Sequence, residues 1–99
     1  MLLCLDSKGK VIKCSVINSG SVNQAEVSHR RILAEAINSN AAAVILSHNH
    51  PGGIALASTE DVQTTRRLCG LLAEVGIDLL DHLIIGENDY VSMSSSGAF

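Results

Sequence analysis

The order of hydrophobic and polar positions predicts that the chain opens with a β-hairpin. Residues 2–5 and 11–17 are short apolar or alternating runs, as expected of strands. The five residues between them, Asp6-Ser7-Lys8-Gly9-Lys10, have the composition of a turn between antiparallel strands. The first strand begins with almost no lead-in, which indicates a strand truncated at its start, in a domain taken from a longer protein.

Two helices are predicted from apolar residues at helical spacing. The first runs from Ser28, an available N-cap, to about Asn38. The second follows residue 58 and ends at Gly76. Its apolar stripe consists of Val62, Leu68, Leu71, Leu72 and Val75.

The remaining apolar runs predict three more strands. Residues 41–47 form a continuous apolar run, typical of a central strand covered on both faces, and residues 77–86 and 90–93 complete the sheet. The resulting order, β-β-α-β-α-β-β, predicts an α/β fold in which helices pack against a mixed sheet.

Length and composition limit the class of protein. The 99 residues support one hydrophobic core, so we expect a single domain over residues 1–99. No apolar run approaches the roughly 20 residues of a membrane-spanning helix, and we expect a cytoplasmic protein that does not bind membranes. The net charge of −3 has the wrong sign for direct binding to nucleic acid.

Three cysteines, Cys4, Cys14 and Cys69, are odd in number and lie in apolar surroundings. This pattern predicts buried reduced thiols rather than a disulfide framework or a cysteine-based zinc site.

The segment that indicates chemistry is His48-Asn49-His50, at the end of the predicted central strand. In extended backbone, two histidines separated by one residue project to the same side, with α-carbons about 6.5–7 Å apart, so both imidazoles can reach one metal ion. Asp61, on the first turn of the second predicted helix, can supply a third ligand. The sequence therefore predicts a metal site at this point.

Two histidines and one carboxylate are typical of catalytic zinc, because the fourth position remains open for water. Such a water is a nucleophile near neutral pH. Ser58 lies one helical turn before Asp61, where its hydroxyl could donate to the oxyanion that forms when the water attacks a carbonyl.

Structural roles compete with these assignments. The segment Ser58-Thr59-Glu60-Asp61 is also a helix capping box, the favoured interpretation if the segment stood alone, and the two nearby histidines favour the ligand role instead. His82 follows Asp81 in a predicted strand, so the two side chains should point to opposite faces. For His82 we favour a structural hydrogen bond.

The spacing of His48, His50, Ser58 and Asp61 matches the JAMM signature of MPN-type metalloproteases: His-x-His, seven residues, Ser, two residues, Asp. The surroundings resemble the RadC branch more specifically, through the segments NAAAVILSHNHP (40–51), RRL (66–68), LLDHLIIG (79–86) and YVS (90–92). This resemblance covers essentially the whole chain.

The resemblance implies a cytidine-deaminase-like α/β sandwich, a Zn²⁺ ion bound by His48, His50 and Asp61, and a role for Ser58 at the oxyanion. The related deaminases require His-x-Glu and a later Pro-Cys-x-x-Cys, and the chain has neither, so deamination is disfavoured.

The chain departs from the family pattern in two places. The family's general base is a glutamate on the first strand, and aligning residues 3–6 places it just upstream of Met1, outside this chain. Glu26 and Glu60 are the glutamates near the motif that could substitute for this base, yet neither lies on the first strand. The loop at 52–57 is more apolar than the family pattern, which concerns substrate contacts rather than the metal ligands.

The sequence thus favours a zinc-dependent hydrolase of the peptidase or isopeptidase class that acts on an unknown protein or peptide. The alternative is a non-catalytic metal-binding interaction module that lacks the general-base glutamate. The family carries the traditional label of a DNA repair protein, although the acidic charge argues against direct DNA binding by this domain. An exposed first strand would also permit a homodimer through edge-to-edge pairing.

Overall fold

The computed structural model describes residues 1–17, 24–49, 59–97 and 99, with only the backbone of residues 24–28. Its strands and helices follow the predicted order and confirm a mixed α/β fold. They are β1 (Leu2–Leu5), β2 (Val11–Ser15), α1 (Gln24–Asn38), β3 (Ala43–Asn49), α2 (Thr59–Glu74), β4 (Asp78–Ile85) and β5 (Tyr90–Ser92).

The five strands form one sheet in the order β2-β1-β3-β4-β5. β3 and β4 are parallel, and every other neighbouring pair is antiparallel. β1 therefore lies inside the sheet, and the prediction that it is exposed for pairing with a second copy is wrong. The chain returns through α1 to place β3 against the second side of β1, so that β2 and β5 form the edges. A homodimer stays a prediction, but pairing through the edge of β1 cannot form it.

Both helices pack on the same face of the sheet. β2 is parallel to β3, and β3 is parallel to β4. The connections between these pairs, which contain α1 and α2, run in the same direction across the sheet. Right-handed crossovers then put both helices on one side. Side chains of both helices accordingly share one hydrophobic core with alternate residues of the strands. This core includes Ile32 and Ala36 of α1, Leu68 and Leu72 of α2, and Leu2, Cys4, Val44 and Leu46 of the sheet.

The prediction that the central strand is covered on both faces is wrong for the part of the chain that the structure describes. Along β3, Val44 and Leu46 are buried under the helices, whereas Ala43 and Ile45 on the opposite face are partly exposed. That opposite face carries a groove of about 820 Å³ lined in part by Leu83, Ile85 and Tyr90. We refer to the two sides as the helix face and the open face.

Both helices end where the sequence predicts, but α1 starts earlier than predicted. α1 begins at Gln24, so Ser28 lies inside the helix and is not its N-cap. The residues before Ser28 include good helix formers, which extend the helix by a turn. The predicted end at Asn38 is confirmed, and Asn40 follows it with a φ of 57°. Gly76, with a φ of 77°, terminates α2 as predicted.

The turn of the opening hairpin is held by an aspartate. Asp6 holds the turn between β1 and β2, because its Oδ1 accepts hydrogen bonds from the N–H groups of Lys8 and Lys10, both at 2.9 Å.

All three cysteines are free thiols, and Cys4 is buried as predicted. The prediction of burial is wrong for Cys14, which is exposed because it lies on the open face of an edge strand, and Cys69 is only partly buried. Neither described helix is long and apolar enough to cross a bilayer.

We predict that Leu72→Ala destabilises the domain by about 2–5 kcal/mol, because the side chain is fully buried and its loss leaves a cavity. The matched control is Leu71→Ala, whose side chain is 39% exposed and should cost under about 1 kcal/mol. Urea unfolding followed by circular dichroism measures both. Equal losses for the two variants would contradict the packing of α2 described above.

Candidate metal centre

The candidate site lies at the edge of the sheet where the parallel strands end. β3 and β4 both finish at this edge, and α2, the connection between them, begins there. His48 occupies the end of β3, and Asp61 lies in the first turn of α2. In open α/β sheets, the carboxyl ends of parallel strands are where ligands commonly bind. The topology thus brings the predicted ligands His48 and Asp61 to one place.

His82 links this edge to the core. Its side chain is only 8% exposed and projects from β4 onto the helix face. Its Nε2 lies 3.2 Å from Nδ1 of His48, and its Nδ1 lies 2.7 Å from the hydroxyl of Thr65 on α2. The ring therefore hydrogen-bonds to β3 on one side and to α2 on the other, which confirms the structural role predicted for it.

Thr65 also contacts the thioether of Met93. Thr65 Oγ1 donates to Sδ of Met93 over 3.7 Å, and both side chains are essentially inaccessible to solvent. Met93 is itself fixed beside His82, because its backbone N–H donates to the His82 carbonyl at 3.1 Å. We call the four residues His48, His82, Thr65 and Met93 the buried polar chain.

The surroundings keep His82 neutral. Burial, followed by the charge of nearby His48, lowers the pKa of His82 from 6.5 to about 4, against the raising effects of Asp61 and Asp81. The ring is therefore neutral near pH 7, because burial outweighs the effect of both carboxylates.

Asp81 points to the open face, as expected for the neighbour of His82 in a strand. Burial raises the pKa of Asp81, but hydrogen bonds outweigh it and leave that pKa below its ordinary value. The bonds come from the hydroxyl of Ser92 at 2.6 Å and from the backbone N–H groups of His82 at 2.7 Å and Ser94 at 3.1 Å. Asp81 therefore anchors the turn after β5 and takes no part in the candidate site.

The remaining predicted site residues, His50 and Ser58, lie outside the described residues. Within residues 1–17, 24–49, 59–97 and 99, no group of three or more His, Cys, Asp or Glu side chains could hold a metal ion. The two predicted ligands that are described nevertheless fit zinc chemically. His48 offers an imidazole nitrogen at the end of β3, and Asp61 offers a carboxylate in the first turn of α2.

Sequence reasoning did not find Thr65, nor the contact between His48 and His82. Both depend on how β3 and β4 are aligned. Val44 pairs with Leu79, but Ile45 pairs with Asp81, so Leu80 is an extra residue in β4. This irregularity turns His82 toward the helix face. The only signal in the sequence was a histidine followed by three apolar residues in a predicted strand.

Comparison with known proteins shows the family of the chain. The RadC-like JAB domain profile matches residues 1–98. The chain belongs to the RadC-like JAB domain family.

Curated relatives of this RadC-like JAB domain carry the name UPF0758. One from Clostridium novyi (strain NT) is 43% identical over 94 residues, which cover 93% of this chain and 40% of the relative. Another, from Staphylococcus aureus (strain NCTC 8325 / PS 47), is 46% identical over an alignment of 101 residues that covers 100% of this chain and 45% of the relative. A third, from Vibrio atlanticus (strain LGP32), is 42% identical over 96 residues, 97% of this chain and 43% of the relative. The chain thus spans less than half the length of the curated relatives it matches.

The lowered pKa of His82 predicts a pH-dependent stability in metal-free protein. Below pH 6.5 the unfolded chain binds a proton at His82 that the folded protein excludes down to about pH 4. Stability should therefore fall as the pH decreases through this window, by on the order of 3 kcal/mol from this group. Urea unfolding at a series of pH values, in the presence of a chelator, measures the loss.

The control is His82→Gln, which cannot titrate and should show a shallower dependence on pH over the same window. The comparison subtracts the contributions of the other histidines. Parallel pH profiles for the two proteins would contradict a buried neutral His82.

Proposed function

We propose that this RadC-like JAB domain is a zinc-dependent hydrolase of the peptidase or isopeptidase class, acting on a protein or peptide. The observation that carries the proposal is that the end of β3 and the first turn of α2 bring His48 and Asp61 to the same edge of the sheet. A nitrogen from a strand end and a carboxylate from a helix start are two of the three ligands of a catalytic zinc site.

In this proposal His48 binds the metal through Nε2, Asp61 through its carboxylate, and His50 provides the third ligand. A zinc ion held there would supply a Lewis acid and lower the pKa of a bound water. His82 keeps the ring of His48 in one orientation. The position of Asp61 at the start of α2 also places its negative charge where the helix dipole favours it.

Ser58 completes the proposed machinery. It immediately precedes Thr59, the first residue of α2, and lies three positions before Asp61. We propose that its hydroxyl donates to the oxyanion formed when water attacks the substrate carbonyl. Hydrogen-bond donors of this kind contribute a large share of the rate in acyl-transfer enzymes, since they stabilise charge that develops in the transition state.

The alignment of β1 bears on the general base. The Met1 amine donates to the Ser47 carbonyl at 2.7 Å, and the Ser47 N–H donates to the Met1 carbonyl at 2.9 Å. In a longer polypeptide, a residue before Met1 that continued β1 would lie opposite His48, with its side chain on the helix face. We propose that a glutamate in such an extension accepts the proton of the attacking water.

The second candidate is a non-catalytic metal-binding interaction module. It is favoured by the composition of β1, Leu2–Leu5, which contains no carboxylate, and by the exposure of Glu60 on α2. The gene sequence upstream of Met1 separates the two candidates. An acidic residue on an extended first strand supports the hydrolase, and a chain that starts at Met1 supports the module.

We predict that the purified protein binds about one zinc ion per chain, measured by elemental analysis and by competition with a chromophoric chelator. His48→Ala, His50→Ala and Asp61→Asn should each weaken zinc binding ~100-fold or more, because each removes a ligand. The matched control is Asp78→Asn, at the opposite end of the parallel strands. A wild-type protein without zinc, or ligand variants that bind like the control, would refute the proposed site.

Direct binding to DNA is not part of the proposed function. With a net charge of −3, the chain should show no affinity for a fluorescent duplex that falls steeply with added salt. Fluorescence anisotropy at several salt concentrations measures this. Strongly salt-dependent binding would instead support direct DNA contact by the domain.

A further inference from the structure

We propose that the open face of the sheet binds the open face of a second copy of this chain, in a two-fold symmetric dimer whose sheets pack face to face. The inference goes beyond the proposed function and does not depend on a bound metal. It gives a route to a homodimer that does not use the edge of β1.

Apolar side chains occupy the middle of the open face. Leu3 of β1 pairs with Ile45 of β3, and Leu83 lies on the next strand, β4. All three side chains are partly exposed, and Ile85 and Tyr90 beside them are 37% and 68% exposed. In the described part of the chain both helices pack on the helix face. A sheet face that is left to solvent is normally polar, so this apolar face indicates a partner that covers it.

Two turns of opposite charge lie at the ends of the sheet's outer strand pairs. The turn after β1 carries Lys8 and Lys10, and the turn after β4 carries Glu87 and Asp89. All four of these residues are exposed. The first turn also contains Asp6, whose Oδ1 is occupied by two backbone N–H groups. The first turn is therefore basic on balance, and the second is acidic.

The strand register places the two turns at diagonally opposite corners of the sheet. Leu5, the last residue of β1, pairs with Ala43 at the start of β3, whereas Ile85, the last residue of β4, pairs with Asn49 at the end of β3. The turns thus lie at opposite ends of the strands. They also lie on opposite sides, because the order of strands is β2-β1-β3-β4-β5.

A two-fold axis can bring each basic corner onto the acidic corner of the other copy. This axis lies between the two faces, perpendicular to the diagonal that joins the corners, and it forms both contacts at once. Five strands at the usual spacing make a sheet about as wide as the seven-residue β3 is long, so the diagonal runs at roughly 45° to the strands. The strands of the two copies then cross at roughly 90°, which is one of the two common ways in which sheets pack.

The open face is large enough for a stable dimer. A stable interface buries about 800 Å² on each partner. The molecule measures 34 × 27 × 21 Å, and in a structure of two layers the shortest dimension runs across the layers. The two longer dimensions therefore describe the face. Its apolar middle and charged corners also match an interface with an apolar core and a polar rim.

Sedimentation equilibrium of the chain tests the dimer, in a reducing buffer that prevents a disulfide through the exposed Cys14. We expect the wild type to dimerise at ~10 µM or below. The double variant Lys8→Glu, Lys10→Glu makes both corners acidic, and the double variant Glu87→Lys, Asp89→Lys makes both basic. Each should weaken the dimer at least ~10-fold, because like charges then meet at both contacts.

An equimolar mixture of the two double variants provides the decisive comparison. In a mixed dimer each acidic corner meets a basic corner again, so the mixture should regain the affinity of the wild type. All four substituted residues are exposed, and circular dichroism should show that both variants are folded.

Ile85→Lys tests the apolar part of the face. It should weaken the dimer at least ~10-fold, because it places a charge in an apolar contact, close to the basic corner of the other copy. The matched control is Leu71→Lys on α2, whose side chain is 39% exposed against 37% for Ile85. The control should dimerise like the wild type.

A wild type that stays monomeric at ~100 µM would overturn the inference and leave the open face to a different partner. A dimer that neither double variant weakens would also overturn it, because the copies would then meet through another surface. The same holds if both double variants weaken the dimer but their mixture does not recover, or if Leu71→Lys weakens it as much as Ile85→Lys.

Discussion

The parallel pairing of β3 with β4 is the constraint on which the candidate site depends. The pairing places the two strand ends at the same edge, and the helix that joins the strands must start at that edge because it crosses back over the sheet. His48 and Asp61 are thereby brought to the same edge, although they are 13 positions apart in the chain. Antiparallel pairing would have put the end of β3 beside the start of β4 instead, and His82 would not face His48 in the same way.

One extra residue in that pairing decides which side chain reaches the core. With regular alternation from Leu79, Asp81 would face the helices and His82 would face the groove on the open face. The additional residue Leu80 reverses the order, so that the imidazole meets Thr65 and the carboxylate meets Ser92. A buried carboxylate beside Thr65 would need a positive partner to offset its desolvation, whereas a neutral imidazole needs only two hydrogen bonds. The irregularity therefore exchanges a costly buried group for one that the core can satisfy.

The sequence predicted what depends on local pattern. Strand and helix order followed from periodicity, and Gly76 marked a helix end, because these signals act over a few residues. Asp61 was placed on the first turn of α2 by motif spacing, and the structure puts it there. The side of the sheet on which the helices pack, and the interior position of β1, depend on how distant strands pair. Thr65 could not be recognised, since a threonine in the middle of a polar helical segment differs from its neighbour Thr64 only through contacts with β4 and the residue after β5.

The buried polar chain also explains why the orientation of His48 is fixed without a metal. A buried imidazole lowers the stability of a core unless both of its nitrogens are hydrogen-bonded. Without such bonds, an apolar side chain at position 82 would be more stable. Here both nitrogens are paired by residues from two different elements, β3 and α2, so His48 cannot turn without leaving His82 unsatisfied. The orientation of the proposed ligand is thus determined when the core folds. A metal that binds to such a ligand does not have to order it, and more of the coordination energy is retained as affinity.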